Sequence, residues 1–185
     1  IVGDRAMEIP TATDSVIESY AKTVNALASA LGKDVRTISL VTPNGGEFYS
    51  PESMHQGLNS QKDMIDYCYS QMNGSILTVD AYSKLRAHTD EYIFFRTDHH
   101  WTSLGAYYAY CAWRGIEPNV DEWTQEILCD NFHGTTWNKV PLPTVPAEEI
   151  TAWYRQESRH VSYNDGQYET DSIYERKYLD GSDQY

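Results

Sequence analysis

Cysteine is scarce in this 185-residue chain: there are three, Cys68, Cys111 and Cys129, and no two form a C-x-x-C pair. That excludes a disulfide-built scaffold and removes the usual spacing of a structural zinc site. One disulfide or three buried thiols are the two states left open. Basic residues are also few, 14 Lys and Arg against 27 Asp and Glu, for a formal net charge of −13. Binding nucleic acid requires a basic footprint to neutralise phosphates, and an anionic membrane surface asks for the same, so neither is expected as a partner. A neutral or acylated substrate suits that field better, although acidity also serves solubility alone. No stretch approaches ~20 continuous apolar residues, so no membrane-spanning helix is written in the chain. Internal repeats and low-complexity tracts are lacking as well.

What remains is an ordinary globular composition, 41% hydrophobic and 22% charged, with enough apolar material for a core. Phenylalanine is rare at 4, whereas tyrosine reaches 15 and tryptophan 5. Such side chains pack on one side and hydrogen-bond on the other, as carbohydrate-facing and extracellular proteins often require.

Periodicity outlines an alternation of helices and strands. Thr13 or Asp14 caps an expected helix to Leu31, with Val16, Tyr20, Val24, Leu27 and Leu31 forming an apolar stripe, and Gly32 ends it. Val35 to Val41 reads as a buried strand broken by Pro43-Asn44-Gly45-Gly46. A second helix is expected from Asn59 to Met72, a short strand at Ile76 to Val79 and a weak helix from Ala81 to His88. Glu91 to Arg96 reads as a strong strand, and Ser103 to Arg114 as the next helix. Such alternation implies βαβ units and a largely parallel sheet, with ligands beyond the carboxyl ends of its strands. Residues 117–185 look less regular, an insertion or accessory region of a single domain covering 1–185. There a helix is expected over Asp121 to Leu128, an extended Pro141–Pro146 connection, and strands at Val161–Tyr163 and Ser172–Tyr174 around an Asn164-Asp165-Gly166 turn. The abrupt ends, Ile1-Val2-Gly3-Asp4 and Gly181 to Tyr185, suggest part of a longer protein.

The most informative stretch runs from Tyr92 to Tyr110 and contains Arg96-Thr97-Asp98-His99-His100-Trp101-Thr102. Imidazole titrates near neutrality, and an adjacent carboxylate can fix its tautomer and stabilise its protonated form. In extended backbone an Asp two residues before a His faces the same way. Asp98 is thus placed to orient His100 as a general base. The competing reading makes the histidine pair a helix cap, with Asp98 accepting backbone N–H groups near Ser103. Arg96 and Asn44 are candidates to line a pocket, and Trp101 is either a sugar-stacking platform or packing beneath the histidines.

The string Arg96-Thr97-Asp98-x-His100-Trp101-Thr102-x-x-Gly105-Ala106 resembles the signature shared by DHHW proteins and the alginate O-acetyltransferase components of the SGNH superfamily. Val2-Gly3-Asp4-Arg5, Thr42-Pro43-Asn44 with Phe48-Tyr49, and Phe132-His133-Gly134-Thr135 resemble further elements of that family. The resemblance implies an SGNH-hydrolase-like (flavodoxin-like) α/β fold, incomplete at its carboxyl end, and a Ser-His-Asp triad using Asp98 as the orienting acid and His100 as the base. It implies no cofactor and no metal. Relatives carry the nucleophilic serine on a later Asp-Ser element. Here only Asp171-Ser172 follows the loop, without a neighbouring glycine, and Arg5 stands where a Gly-Asp-Ser block would place the nucleophile. The serine is therefore expected outside this chain.

The function implied is an esterase or O-acyltransferase of extracytoplasmic polysaccharide, secreted or anchored at the cell surface. Its partners would be an acylated polysaccharide or acyl donor and a membrane-bound O-acyltransferase. Two alternatives compete. A carbohydrate-binding or scaffold protein would keep the fold without turnover. A metal-dependent phosphoesterase would use Asp98-His99-His100 as ligands, but it expects an aspartate-rich strand end near the start, which Asp4-Arg5-Ala6 and Asp80-Ala81 do not supply.

Overall fold

The computed structural model describes residues 1–155 and 160–171. Helix α1 (Asp14–Leu31) begins after Thr13 and stops at Gly32, whose positive φ of 75° few side chains tolerate and whose N–H returns to the Ala28 carbonyl. It packs on α3 (Gln61–Ser70) through Ile17, Ala21 and Ala28. The apolar stripe lies beside that face: Val16, Tyr20, Leu27 and Leu31 are exposed. Small alanines let α3 approach closely, so the neighbouring face, with its two alanines, is the buried one.

Strands β1 (Thr37–Ser39) and β2 (Ile76–Thr78) pair in parallel, Thr37 opposite Ile76 and Ser39 opposite Thr78. Helix α2 (Gly45–Tyr49) follows β1, and α4 (Ala81–Arg86), capped by Asp80, follows β2. Helix α5 (Ser103–Arg114) lies against α4 and closes a core of Leu85, Ile93, Phe94, Leu104 and Tyr108.

Among the described residues, Glu91 to Arg96 joins no sheet. Phe94 bridges only Trp101, because the chain doubles back after four residues and Phe95 N–H donates to the His100 carbonyl while Thr102 N–H donates to that of Ile93. The apolar run is buried as its composition requires, with Ile93, Phe94 and Phe95 all inside. Other backbone groups of the run are met from the amino-terminal segment: the Arg5 side chain donates to the Phe94 and Phe95 carbonyls, and the Ala6 N–H donates to that of Arg96.

The helix expected over Asp121 to Leu128 is instead a 3-10 turn at Val120–Glu122 followed by strand β3 (Thr124–Phe132). This pairs antiparallel with β4 (Glu148–Tyr154) through two register shifts. The helix formers Gln125, Glu126 and Leu128 are overruled by tertiary pairing, since burial alternates along Thr124 to Leu128 with a period of two. Short helix α6 (Thr135–Lys139) connects the two strands. The predicted hairpin turn is present, with positive φ at Asn164, Asp165 and Gly166, but it joins β5 (Val161–Tyr163) to β6 (Tyr168–Thr170). The strand expected at Ser172–Tyr174 lies outside the described residues. All three cysteines are free and buried. The architecture is mixed α/β, with one parallel and two antiparallel pairs among the described residues, where a largely parallel sheet was expected.

Candidate functional site

Asp98 and His99 occupy the tip of the loop whose arms are residues 93–95 and 100–102. Thr102 is the cap of α5: its hydroxyl accepts from Gly105 N–H at 3.3 Å and donates to the Tyr92 carbonyl at 2.7 Å. The histidines therefore do not cap this helix. A Cβ on Gly105 would sit 2.2 Å from the Ile93 carbonyl oxygen, so glycine is what lets α5 start this close to the loop.

The Asp98 carboxylate is fully buried, whereas the His100 ring is 54% exposed. One oxygen, Oδ1, accepts from His100 Nδ1 at 2.5 Å and from the His100 backbone N–H at 2.9 Å. The other, Oδ2, accepts from the Thr135 N–H and hydroxyl, each at 2.8 Å. Burial is the largest single influence on this carboxyl and pushes its pKa up. The bonds from Thr135 and His100, backbone and side chain, together outweigh burial and hold it below its ordinary value. An ionised carboxylate only accepts, so His100 carries its proton on Nδ1 and its lone pair on Nε2, the arrangement a general base requires.

Sequence reasoning did not single out the residues that hold this acid in place. Glu148, buried at the start of β4, accepts from the N–H groups of Arg96 and Thr97, each at 2.7 Å, from the Thr97 hydroxyl, and from the Tyr92 hydroxyl at 2.5 Å. Burial, and then the bond to Glu148, drive the Tyr92 phenol well above its usual range, so it stays a donor. The Thr97 hydroxyl accepts from Gly134 N–H at 2.9 Å, and Trp137 N–H donates to the Thr97 carbonyl at 2.9 Å. A Cβ at Gly134 would lie 2.3 Å from that of Asp98. The Phe132-His133-Gly134-Thr135 segment was a sequence signal for this support; Glu148, 50 residues downstream of Asp98, carried none.

His99 and His100 line a cavity of about 350 Å³ with Asn44, Gln61, Pro43 and Trp101. Asn44 and Trp101 thus share the histidines' cavity. The Asn44 side chain also knits the wall together, accepting from Gly46 N–H and Gln61 Nε2 and donating to the Glu8 carbonyl. Arg96 is not among the lining residues; its guanidinium lies over the Tyr92 ring and 3.3 Å from Asp4. His99 Nδ1 is 3.7 Å from Asp98 and 3.2 Å from the Thr135 hydroxyl, and its ring tilts against that of His100 at 4.0 Å. Donor atoms of Asp98, His99 and His100 lie within 4.8 Å of one another, close enough to gather round a cation.

A mixed α/β fold presenting a half-exposed imidazole on a buried aspartate defines the class. The family model described as "DHHW protein" matches residues 1–120, more than half of the chain, and this protein belongs to that family. A DHHW family protein from Eubacterium siraeum, solved by crystallography, is similar at 27% identity with a TM-score of 0.72, covering 82% of this chain and 51% of that one. PatB1 of Bacillus cereus, solved with a sulfonyl adduct, aligns at 15% identity with a TM-score of 0.61, over 81% of this chain and 53% of its own. The chain thus spans about half the length of these relatives. No curated protein matched.

Proposed function

We propose that this chain contributes the acid and base of a Ser-His-Asp ester-processing site, in an SGNH-like esterase or O-acyltransferase of extracytoplasmic polysaccharide. The observation that carries the reading is the 2.5 Å contact between the buried Asp98 and Nδ1 of a His100 that borders a cavity. A serine supplied from outside these 185 residues would lose its proton to His100 Nε2 as its oxygen attacks the acyl carbonyl. The same proton would pass to the departing oxygen, leaving an acyl-serine; water or a sugar hydroxyl, deprotonated by His100, would then take the acyl group, and the proton would return to the serine oxygen. Asp98 stabilises the imidazolium between these steps without itself being protonated, which its lowered pKa favours. A sulfonyl group held as an adduct is the mark of a reactive nucleophile, so the resemblance to PatB1 is in keeping with this chemistry. The acyl donor, an acylated polysaccharide or a membrane-bound O-acyltransferase that passes acyl groups on, would reach the site at the cell surface.

The test is steady-state hydrolysis of a small activated acetyl ester by the longer natural protein containing this chain. Turnover should fall by about 10³-fold or more in His100→Ala, as loss of a triad base does. Undiminished turnover in a folded His100→Ala protein would refute the assignment. A longer protein that binds saccharide but turns over no ester would favour the carbohydrate-binding alternative.

A further inference from the structure

Two imidazoles border the cavity, and the chemistry proposed above employs one of them. His99 is 42% exposed and lines the same hollow as His100, the two rings lying 4.0 Å apart and tilted by 35°. Counting protons decides its tautomer. The Thr135 hydroxyl has one proton and lies 2.8 Å from Asp98 Oδ2, an ionised oxygen that can only accept, so the proton goes there. Thr135 Oγ1 is then an acceptor towards His99 Nδ1, 3.2 Å away, and that nitrogen must carry a hydrogen. Neutral His99 therefore holds its lone pair on Nε2, as His100 does. One carboxylate sets both rings: Oδ1 acts on His100 directly, and Oδ2 acts on His99 through Thr135.

Both Nδ1 atoms face the buried acid, 2.5 and 3.7 Å from the same Oδ1, so both Nε2 atoms lie on the sides of their rings turned away from it. The amides that share the cavity are engaged with each other: Gln61 Oε1 accepts from Asn44 N–H and Gln61 Nε2 donates to Asn44 Oδ1, each at 2.9 Å. No described residue hydrogen-bonds to His99 Nε2. Two acceptors side by side on one rim match two donors side by side. Adjacent hydroxyls on a sugar ring supply that pair, and an isolated alcohol does not.

We infer that His99 positions the acyl acceptor: its Nε2 accepts from the hydroxyl next to the one that reacts, so the acceptor is a sugar presenting adjacent hydroxyls. The inference rests on the esterase or acyltransferase reading and resolves it in favour of transfer. With the acyl group on the serine, the reacting hydroxyl gives its proton to His100 Nε2 as its oxygen bonds to the acyl carbon. The serine oxygen leaves that carbon and takes the proton from His100. The neighbouring hydroxyl keeps its own proton throughout and shares it with His99 Nε2 in a hydrogen bond, which fixes the angle of attack. His99 thus separates a sugar from a simple alcohol by one hydrogen bond, worth about tenfold.

Partition of the acyl group in the longer natural protein tests this. A small activated acetyl ester is supplied with 1,2-cyclohexanediol or with cyclohexanol at equal concentration, and acetylated alcohol and free acetate are measured separately. The diol should be acetylated about tenfold more than cyclohexanol, relative to acetate released. His99→Ala should bring the diol down to the level of cyclohexanol while hydrolysis changes by less than about threefold, a split that general damage to the loop would not produce. His99→Gln, whose side-chain carbonyl can accept, should recover part of the preference. A parent protein without the preference, or a preference that survives in His99→Ala, overturns the inference. Should His99→Ala not fold, long-range ¹H–¹⁵N correlation on the parent at about pH 9 decides: His99 found as the Nε2–H tautomer would overturn it. An active parent whose partition ignores His99 sinks this inference alone, whereas a parent that turns over no ester sinks it together with the reading beneath it.

Discussion

Two carboxylate–imidazole pairs flank the same buried loop, and they are built in opposite senses. In the Asp98–His100 pair the acid is fully buried and the ring is 54% exposed, at 2.5 Å. In the Glu91–His88 pair, at 2.7 Å, the ring is the more buried partner, 23% exposed against 37% for the acid. His88 stacks on Tyr108 at 3.7 Å, and the Tyr108 hydroxyl donates to the second oxygen of Glu91. Burial and that bond push the Tyr108 phenol well above its usual range, so it too remains a donor. One pair holds an imidazole out towards a cavity; the other closes an imidazole into packing between α4 and α5. A hydrogen-bonded Asp/Glu–His pair is therefore no sign of catalysis by itself. The two pairs differ in which partner the fold buries.

The sharpest way to break this comparison is to truncate both rings in the longer protein. His100→Ala should lower ester turnover by about 10³-fold or more, and His88→Ala by less than about tenfold once the folded fraction is matched. Equal losses would erase the distinction. Asp98→Asn should follow His100→Ala closely, because the amide reverses the tautomer that the carboxylate enforces. Thermal unfolding should rank the pairs the other way. His88→Ala removes a stacked, hydrogen-bonded ring and should destabilise by about 1–2 kcal/mol, whereas the half-exposed His100→Ala should stay within about 0.5 kcal/mol.

Support for the buried acid is the next point of attack. Gly134→Ala forces a methyl onto Asp98 and should destabilise by about 1–3 kcal/mol through overpacking, against a few tenths for Gly74→Ala, where a Cβ meets open space. Near-equal unfolding midpoints for the two would mean that Gly134 is not pressed against the acid. The smallest expected effect is the pH dependence. The folded-state pKa of Asp98 is lowered from 3.8, so its contribution to stability is fully present above 3.8 and is lost as pH falls through the lowered value. Stability measured by denaturant between pH 5 and 2 should thus fall less steeply in Asp98→Asn than in the parent. An unchanged slope would show that the Asp98 bonds do not distinguish its ionised form.

The site was more legible in sequence than the sheet was. Asp98, His100, Trp101 and Thr102 are adjacent along the chain, so residue spacing and chemistry sufficed to place them together. Glu148 and Thr135 act on the same loop across folded distance; Thr135 was marked by its place in the Phe132-His133-Gly134-Thr135 element, whereas Glu148 does not stand out locally. For the fold, the strong run Tyr92 to Phe95 announced burial correctly but not pairing, because periodicity reports what a side chain faces and not which strand its backbone meets. Asp121 to Leu128 misled for the converse reason, its helix-forming residues being recruited by Glu148–Tyr154 into a ladder. On α1 the stripe of Val16, Tyr20, Leu27 and Leu31 marks a helix correctly, yet the face that the fold buries is the neighbouring one, Ile17, Ala21 and Ala28.

The central claim is that buried Asp98 fixes His100 with its proton on Nδ1 and its lone pair on Nε2. Long-range ¹H–¹⁵N correlation of the imidazole rings at about pH 9, where an ordinary imidazole is neutral, reads this directly. His100 should be the Nδ1–H tautomer, and Asp98→Asn should shift it towards Nε2–H. A His100 found predominantly as Nε2–H in the parent protein would contradict it.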